Sequence, residues 1–284
     1  MMEIEKSSNI YPFVKWVGGK RQLANKINKL IPENYNCYFE PFVGGGAILF
    51  SLQPKKAIIN DYNEELINTY RVIRDNPEQL ITFLEIHEIR NNEDYFYEIR
   101  SLDRNDDYKY ISDIEKAART IYLNKTCFNG LYRVNSLNQF NAPYGKYKKP
   151  KIVDYKNIIA CSNYLNDAQI TISSGDYKDS IKVANENDFI YLDPPYLPVS
   201  KTSNFTSYTK NNFKYDEQID LKNECDKLTE KGIKFLLSNS YSDIILDLYR
   251  DYEIITVDAK RAINSDPTKR GKVKEVLIRN YVNK

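Results

Sequence analysis

Asp193-Pro194-Pro195-Tyr196 sets a carboxylate, two prolines and an aromatic ring directly after the apolar run Phe189-Ile190-Tyr191-Leu192. Such a run reads as a strand buried on both faces, as in a parallel sheet, so the next four residues emerge at its carboxyl end. The prolines fix φ and remove two backbone N–H groups, which lets the Pro194 carbonyl be held rigidly toward a cleft. Asp193 offers a second acceptor and Tyr196 a face on which a planar ring can stack. Together they suit gripping a flat, amine-bearing base while its amino group attacks an electrophile. A double proline after a strand also serves simply to end it, so the chemistry depends on what the rest of the chain brings to the same place.

Phe39-Glu40-Pro41-Phe42-Val43-Gly44-Gly45-Gly46 reads as a strand running into a glycine-rich turn, with a helix beginning near Ala47. Glycines there let backbone approach a ligand closely. Fifteen residues beyond Gly46, Asp61 closes the next strand, Ile58-Ile59-Asn60. An acidic residue at that point grips a nucleoside ribose in dinucleotide-type folds. The spacing is shorter than that fingerprint and the turn is not G-x-G-x-x-G, so a nucleoside ligand without a pyrophosphate fits better than NAD. Gly175-Asp176-Tyr177 adds a polar group after a further strand. Lys15-Trp16-Val17-Gly18-Gly19-Lys20 has a superficial likeness to a phosphate loop, but no Gly-Lys-Ser/Thr follows; it reads as a helix N-terminus with a packed tryptophan.

Positioning these groups requires an α/β scaffold. Short apolar strands are expected at Tyr38-Phe39, Ala57–Asn60, Ile170–Ile172, Phe189–Leu192, Ile233–Leu237, Tyr252–Val257 and Val273–Tyr281. Helical patterns separate most of them. Leu23, Ile27, Leu30 and Ile31 share one face; Ile219, Cys225 and Leu228 share another, stopped by Gly232. The alternation argues for an open, mostly parallel sheet with helices on both faces, whose strand ends converge on one ligand crevice. Asn63–Asp167 differs. Successive helical patterns (Leu66/Ile67/Tyr70/Ile73, Leu80/Ile81/Leu84, Ala117/Ala118/Ile121/Tyr122, the last with a capping box in Ser112 and Glu115) lead into a polar Asn- and Lys-rich segment, Asn129–Lys151. The expected organisation is a core of residues 1–62 and 168–284, with residues 63–167 a helical insertion carrying a recognition hairpin or loop at about 128–150.

Composition narrows the classes. The four cysteines, Cys37, Cys127, Cys161 and Cys225, form no Cys-x-x-Cys pair, and a single histidine, His87, argues against a histidine-based metal centre or a Ser-His triad. His87 is expected on a solvated helix face. No stretch approaches a membrane span and the polar N-terminus lacks a signal-peptide core, so a reduced, cytoplasmic, monomeric protein is expected. Net charge is only +2. Lys146, Lys148, Lys149 and Lys151 nevertheless cluster around Tyr147, as do Lys15, Lys20 and Arg21 near the N-terminus. Such runs usually mark a solvated face.

The motifs KWVGGK, FEPFVGGG, the strand-end Asp61, GDY and DPPY occur in an order that resembles the Dam-type DNA adenine methyltransferases. The likeness extends through CFNGLYRVNSLNQFNAPYGKYKKP (Cys127–Pro150), LSNS with Asn239, and RGKVKEVLI, and so covers nearly the whole chain. It looks closest to the modification methylases of GATC restriction systems. It implies the seven-stranded S-adenosylmethionine-dependent methyltransferase fold with an inserted DNA-recognition domain. It further implies S-adenosylmethionine, without a metal, held by Trp16, Lys20, the Phe39-Glu40-Pro41 to Gly44–Gly46 turn, Asp61, Asp176, Tyr177 and Asp193. Double-stranded DNA is the implied partner, with a restriction endonuclease of the same site as a functional companion. By the same resemblance Arg133 reads guanine, Lys15 the first base pair, Phe128 and Asn129 wedge into the duplex, and Leu131 and Pro143 touch thymine methyls. Asn135, Tyr147, Lys148 and Lys149 belong to the same interface. The catalytic group is Asp193, Pro194, Pro195 and Tyr196. Two rival readings share parts of this pattern: an RNA or protein-amide methyltransferase with a related [D/N]PP[Y/F] motif, and a non-catalytic DNA-binding protein on the same scaffold.

Overall fold

The computed structural model describes residues 10–196, 213, 215–260 and 272–282. Seven strands form one sheet: β1 (Tyr38–Glu40), β2 (Lys56–Asp61), β3 (Gln169–Ser174), β4 (Phe189–Leu192), β5 (Lys234–Ser240), β6 (Glu253–Lys260) and β7 (Lys272–Arg279). Their order is β3-β2-β1-β4-β5-β7-β6. All seven expected runs are strands. Pairing is parallel from β3 through β5, and β7 enters antiparallel between β5 and β6. This is the mostly parallel sheet of an S-adenosylmethionine-dependent methyltransferase fold.

The side chains of the short strands alternate between two apolar layers, as the period of two demands. Tyr38, Ala57, Ile59, Phe189, Tyr191 and Leu236 enter one layer. Phe39, Ile190, Leu192, Phe235, Leu237 and Ile278 enter the other. The first is covered by α1 (Ala24–Asn28), α2 (Ala47–Leu52), α3 (Glu64–Asp75) and α7 (Tyr155–Asp167). The second is covered by α8 (Tyr177–Ile181), α9 (Tyr215–Glu230) and α10 (Asp243–Leu248). Full burial of each such side chain contributes about 1.5–3 kcal/mol. α9 ends at Glu230, and Gly232, at φ 70°, turns the chain into β5.

Between α3 and α7 lie α4 (Pro77–Arg90), α5 (Glu93–Ser101) and α6 (Asp113–Thr126). Asn63 caps α3 by accepting from Leu66 N–H, and the Ser112/Glu115 capping box is formed at α6. These helices share one hydrophobic cluster with the sheet, through Leu66, Tyr70 and Ile73 of α3 and Ala117, Ile121 and Tyr122 of α6. After α6 the chain forms a loop with two isolated antiparallel bridges, Cys127↔Tyr144 and Val134↔Phe140. No helix among the described residues is long and apolar enough to cross a membrane.

His87 departs from expectation. It is buried in α4 rather than solvated: Nδ1 lies 2.7 Å from the Tyr95 hydroxyl and the ring stacks on Tyr122, with centroids 4.8 Å apart. The pattern in α4 alone hides this, because both partners come from other helices, α5 and α6. Burial, aided by nearby Arg90, lowers its pKa from 6.5 to about 4. The fold therefore holds His87 neutral where the unfolded chain would protonate it, and stability falls as pH drops from about 6.5 toward 4. His87→Phe should lose less stability than the parent protein across that window, by about 1–3 kcal/mol, measured by urea unfolding at successive pH values. Equal pH dependence in the two proteins would remove His87 from this role.

Candidate active site and nucleic-acid interface

The chain runs from β1 outward to β2 and β3, then returns to β4 on the other side of β1. That reversal opens a crevice at the carboxyl ends of β1 and β4. The turn after β1 supplies Pro41 and Gly44–Gly46, and the turn after β4 supplies Asp193–Tyr196. Asp61 and Asp176 follow β2 and β3 at the same edge.

Asp193 is joined by Lys20, whose Nζ lies 2.8 Å from its Oδ1; the two side chains are 4% and 18% exposed. Lys20 also donates to the Gly18 carbonyl at 2.6 Å and lies 4.7 Å from the centre of the Tyr196 ring. Burial, reinforced by the Glu275 carboxylate, pushes the Asp193 carboxyl up to about 6 against the pull of Lys20. At neutral pH it is thus still a carboxylate, able only to accept hydrogen bonds. Tyr196 is half-buried and donates its hydroxyl proton to Glu275 Oε2 at 2.8 Å. The Pro195 carbonyl accepts from Gln218 Nε2 of α9 at 3.0 Å, and Gln218 Oε1 accepts from Asn239 Nδ2 of β5 at 2.9 Å. Both amides are fully buried. The double-proline turn is therefore braced from two elements beneath it.

The glycine-rich turn is shaped by close approach. Gly44 (φ 49°) and Gly46 (φ 75°) are left-handed; a Cβ at Gly44 would meet Trp16 at 2.8 Å, and one at Gly46 would meet the Tyr70 hydroxyl at 2.5 Å. Tyr70 instead donates to the Gly44 carbonyl, and Asp61 accepts Gly44 N–H and Asn63 N–H, each at 2.9 Å. Burial pushes the Asp61 carboxyl up to about 6 despite these donors. Asn60, buried between strands, ties the Pro41 carbonyl to the Gly175 carbonyl. Glu40 and Phe39 are both buried. Phe39 is core, and Glu40 accepts from the Tyr38 hydroxyl at 2.8 Å, its carboxyl pushed up to about 8 by burial. Asp176 caps α8 through Lys178 N–H, and the buried Tyr177 ring packs on Phe42.

A second group of expected residues gathers on the α6–α7 loop. Asn124, buried at the end of α6, accepts from Lys15 N–H at 2.9 Å and donates to the Lys15 and Gly130 carbonyls. It thereby sets Lys15 beside Phe128-Asn129-Gly130. Asn129 is itself left-handed (φ 60°), a conformation that asparagine tolerates. Phe128 and Tyr147 are exposed, as are Lys15, Pro143, Lys148 and Lys149, while Leu131 is half-buried. The Arg133 guanidinium is held by Asn141, through Nε to Oδ1 at 2.7 Å and Nη2 to the backbone carbonyl at 3.2 Å. Asn135 is taken up by its own turn: its Oδ1 accepts from Leu137 and Gln139 N–H, and its Nδ2 donates to Gln139 Oε1. Trp16 stacks on Tyr132, with centroids 4.9 Å apart, and so joins this loop to the glycine turn. Thr202–Tyr208, a candidate closing loop on sequence grounds, lies outside the described residues.

Asn124, Gln218 and Glu275 had no assigned role. Their partners stand 109, 23 and 79 residues away, and no local spacing announces such bonds.

Residues 16–263 match the family described as D12 class N6 adenine-specific DNA methyltransferase. The chain is 50% identical to the type II methyltransferase M1.LlaDCHI of Lactococcus lactis subsp. cremoris, covering 97% of each chain. It is 42% identical to the type II methyltransferase M.MjaIII of Methanocaldococcus jannaschii, over 96% of this chain and 99% of that one. It is 31% identical to the DNA adenine methylase of Escherichia coli strain K12, over 93% of both. With the match spanning the crevice and the loop alike, the chain belongs to the D12 class of N6 adenine-specific DNA methyltransferases.

Proposed function

We propose that this adenine-specific DNA methyltransferase acts within double-stranded GATC, draws the target base out of the helix and takes its methyl group from S-adenosylmethionine. The observation that carries this reading is the convergence at one sheet reversal of the glycine turn, Asp61 and the braced Asp193–Tyr196 clamp. The donor set fits the methyl donor. Asp61 offers a carboxylate to ribose hydroxyls, the left-handed glycine turn offers backbone at close range, and Asp193 and Lys20 offer both charges to an amino-acid end. When bound, S-adenosylmethionine supplies a methyl group on a sulfonium leaving group.

The residues of the chain do the rest. An adenine amine inside a duplex is out of reach, so the base is extruded at a cost of a few kcal/mol. Stacking on Tyr196 returns about 1–3 kcal/mol, and Phe128 and Asn129 would wedge into the gap. Asp193 and the Pro194 carbonyl each accept one N–H of the amine. That turns the nitrogen lone pair out of ring conjugation and toward the methyl carbon. The amine proton then leaves to solvent, so catalysis rests on proximity and preorganised acceptors. The names of the relatives, DNA adenine methylase and type II methyltransferase, support methylation of adenine in DNA; GATC and a companion endonuclease rest on the motif resemblance.

Asp193→Ala should lower kcat by about 10²–10³-fold with an unchanged circular dichroism spectrum; wild-type turnover would remove Asp193 from the reaction. Since protonation removes the charge of Asp193 and turns one of its oxygens into a donor, leaving a weaker acceptor for the amine, kcat/KM should fall as pH drops through about 6. Donor affinity should weaken over the same range as Asp61 protonates, its carboxyl lying at about 6 too. Labelled methyl transfer and donor-binding titrations at successive pH values check both. Arg133→Ala should erode discrimination at its guanine by about 1–3 kcal/mol, read as the ratio of kcat/KM for GATC over a site with that base pair changed. For the recognition sequence itself, methylated duplex is challenged with nucleases blocked by, or requiring, adenine methylation at GATC. Label incorporated without protection at GATC would overturn that sequence.

A further inference from the structure

Glu275 lies on β7, opposite Ser240 of β5 and Val257 of β6. With a neighbour on both sides its backbone is fixed, yet its side chain reaches the crevice, 18% exposed. One oxygen, Oε2, accepts the Tyr196 hydroxyl at 2.8 Å and stands 4.0 Å from Lys20 Nζ. Lys20 is 4% exposed and holds Asp193 at 2.8 Å. A base amine arriving at Asp193 must compete with that ammonium for the same carboxylate. A lysine displaced within the protein without a partner would carry a large desolvation cost; besides the carboxylate of the donor, the carboxylate of the chain already beside it is Glu275.

We propose that Glu275 is a positioning residue for methyl transfer, anchoring the Tyr196 ring against which the base stacks and receiving Lys20 when the adenine amine takes its place at Asp193. This rests on the reading that the target adenine enters the Asp193–Tyr196 clamp. The charge on Glu275 then has two consequences. It keeps Lys20 within the crevice through the exchange, and its hydrogen bond holds the phenol so that the ring keeps one orientation toward the base. It also bears on Asp193 directly. The groups facing that carboxyl are Lys20 from the turn before α1, Glu40 at the end of β1, Tyr191 on β4, Tyr196 on its own turn, and Glu275. Among these, Glu275 is a carboxylate whose removal leaves the Lys20–Asp193 pair and both backbone turns in place.

The test compares Glu275→Gln, Glu275→Ala and Tyr196→Phe in the full chain, with a GATC duplex and labelled S-adenosylmethionine. Glu275→Gln keeps an acceptor for the phenol and removes the charge. It should shift the acid limb of kcat/KM to lower pH, because a negative neighbour that raises the Asp193 pKa is gone. Glu275→Ala removes both functions and should lower kcat by about 10- to 100-fold, with the KM for the donor little changed. Part of that loss should be absent in the Tyr196→Phe background, where the phenol has no proton to donate. An acid limb that does not move in Glu275→Gln, or losses from Glu275→Ala and Tyr196→Phe that simply add, would overturn the proposal. Should Glu275→Ala fail to fold, the limb position in Glu275→Gln decides alone. Methyl transfer by the unmodified enzyme in the same assay separates failure of the parent reading from failure of this one.

Discussion

The parallel pairing of β1 with β4, Tyr38 against Phe189 and Phe39 against Ile190, is the contact on which the site depends. These strands are far apart in sequence and carry different motifs, one ending in the glycine turn and the other in the double-proline turn. Placing them side by side puts both turns at the same edge, with no spacing left to loop geometry. The strands are only three and four residues long. They hold because each is buried on both faces between two apolar layers, where a shift of one residue would exchange the layers. Register and active-site geometry are thus one constraint.

Around that pairing, the polar groups of the crevice are fixed by bonds from behind. Asp61 holds the glycine turn from β2, Gln218 and Asn239 hold the Pro195 carbonyl from α9 and β5, and Asn124 holds the Lys15 backbone from α6. Fully buried amides of this kind are fixed once every donor and acceptor is matched. A site that works by aiming acceptors at an amine needs that rigidity, since a carbonyl free to swing aligns the lone pair only part of the time.

The seven strands were legible because runs such as Phe189–Leu192 and Ile233–Leu237 are apolar throughout and bounded by polar turns. The Ser112/Glu115 cap was legible because its two partners are three residues apart. What sequence could not supply were relations between elements. Nothing in Val273–Tyr281 distinguishes an antiparallel strand lodged between β5 and β6 from another parallel one. His87 sits at a position whose burial depends on Tyr95 and Tyr122 rather than on its own helix. Motif resemblance marked Glu40 and Phe39 together with the crevice, and nothing local announces that both are buried, with Glu40 bonded to the Tyr38 hydroxyl. Asn124, Gln218 and Glu275 are ordinary polar residues until the fold gives them partners.

The stretch from Lys15 to Lys20 is tied down at both ends, Lys15 to Asn124 through its backbone and Lys20 to Asp193 through its side chain. Between the ties, Trp16 lies against Gly44 and stacks on Tyr132. The segment behaves as a strap of fixed length between the base-holding turn and the α6–α7 loop. One inserted residue would add up to about 3.5 Å of chain and slacken the strap. One deleted residue would pull either Lys15 from Asn124 or Lys20 from the crevice. Side chains along the strap are not freely exchanged even where they face solvent: Gly18 is left-handed (φ 77°) and a Cβ at Gly19 would meet the Trp16 carbonyl oxygen at 3.0 Å, so the two glycines as well as the two ties set the path between the halves of the site.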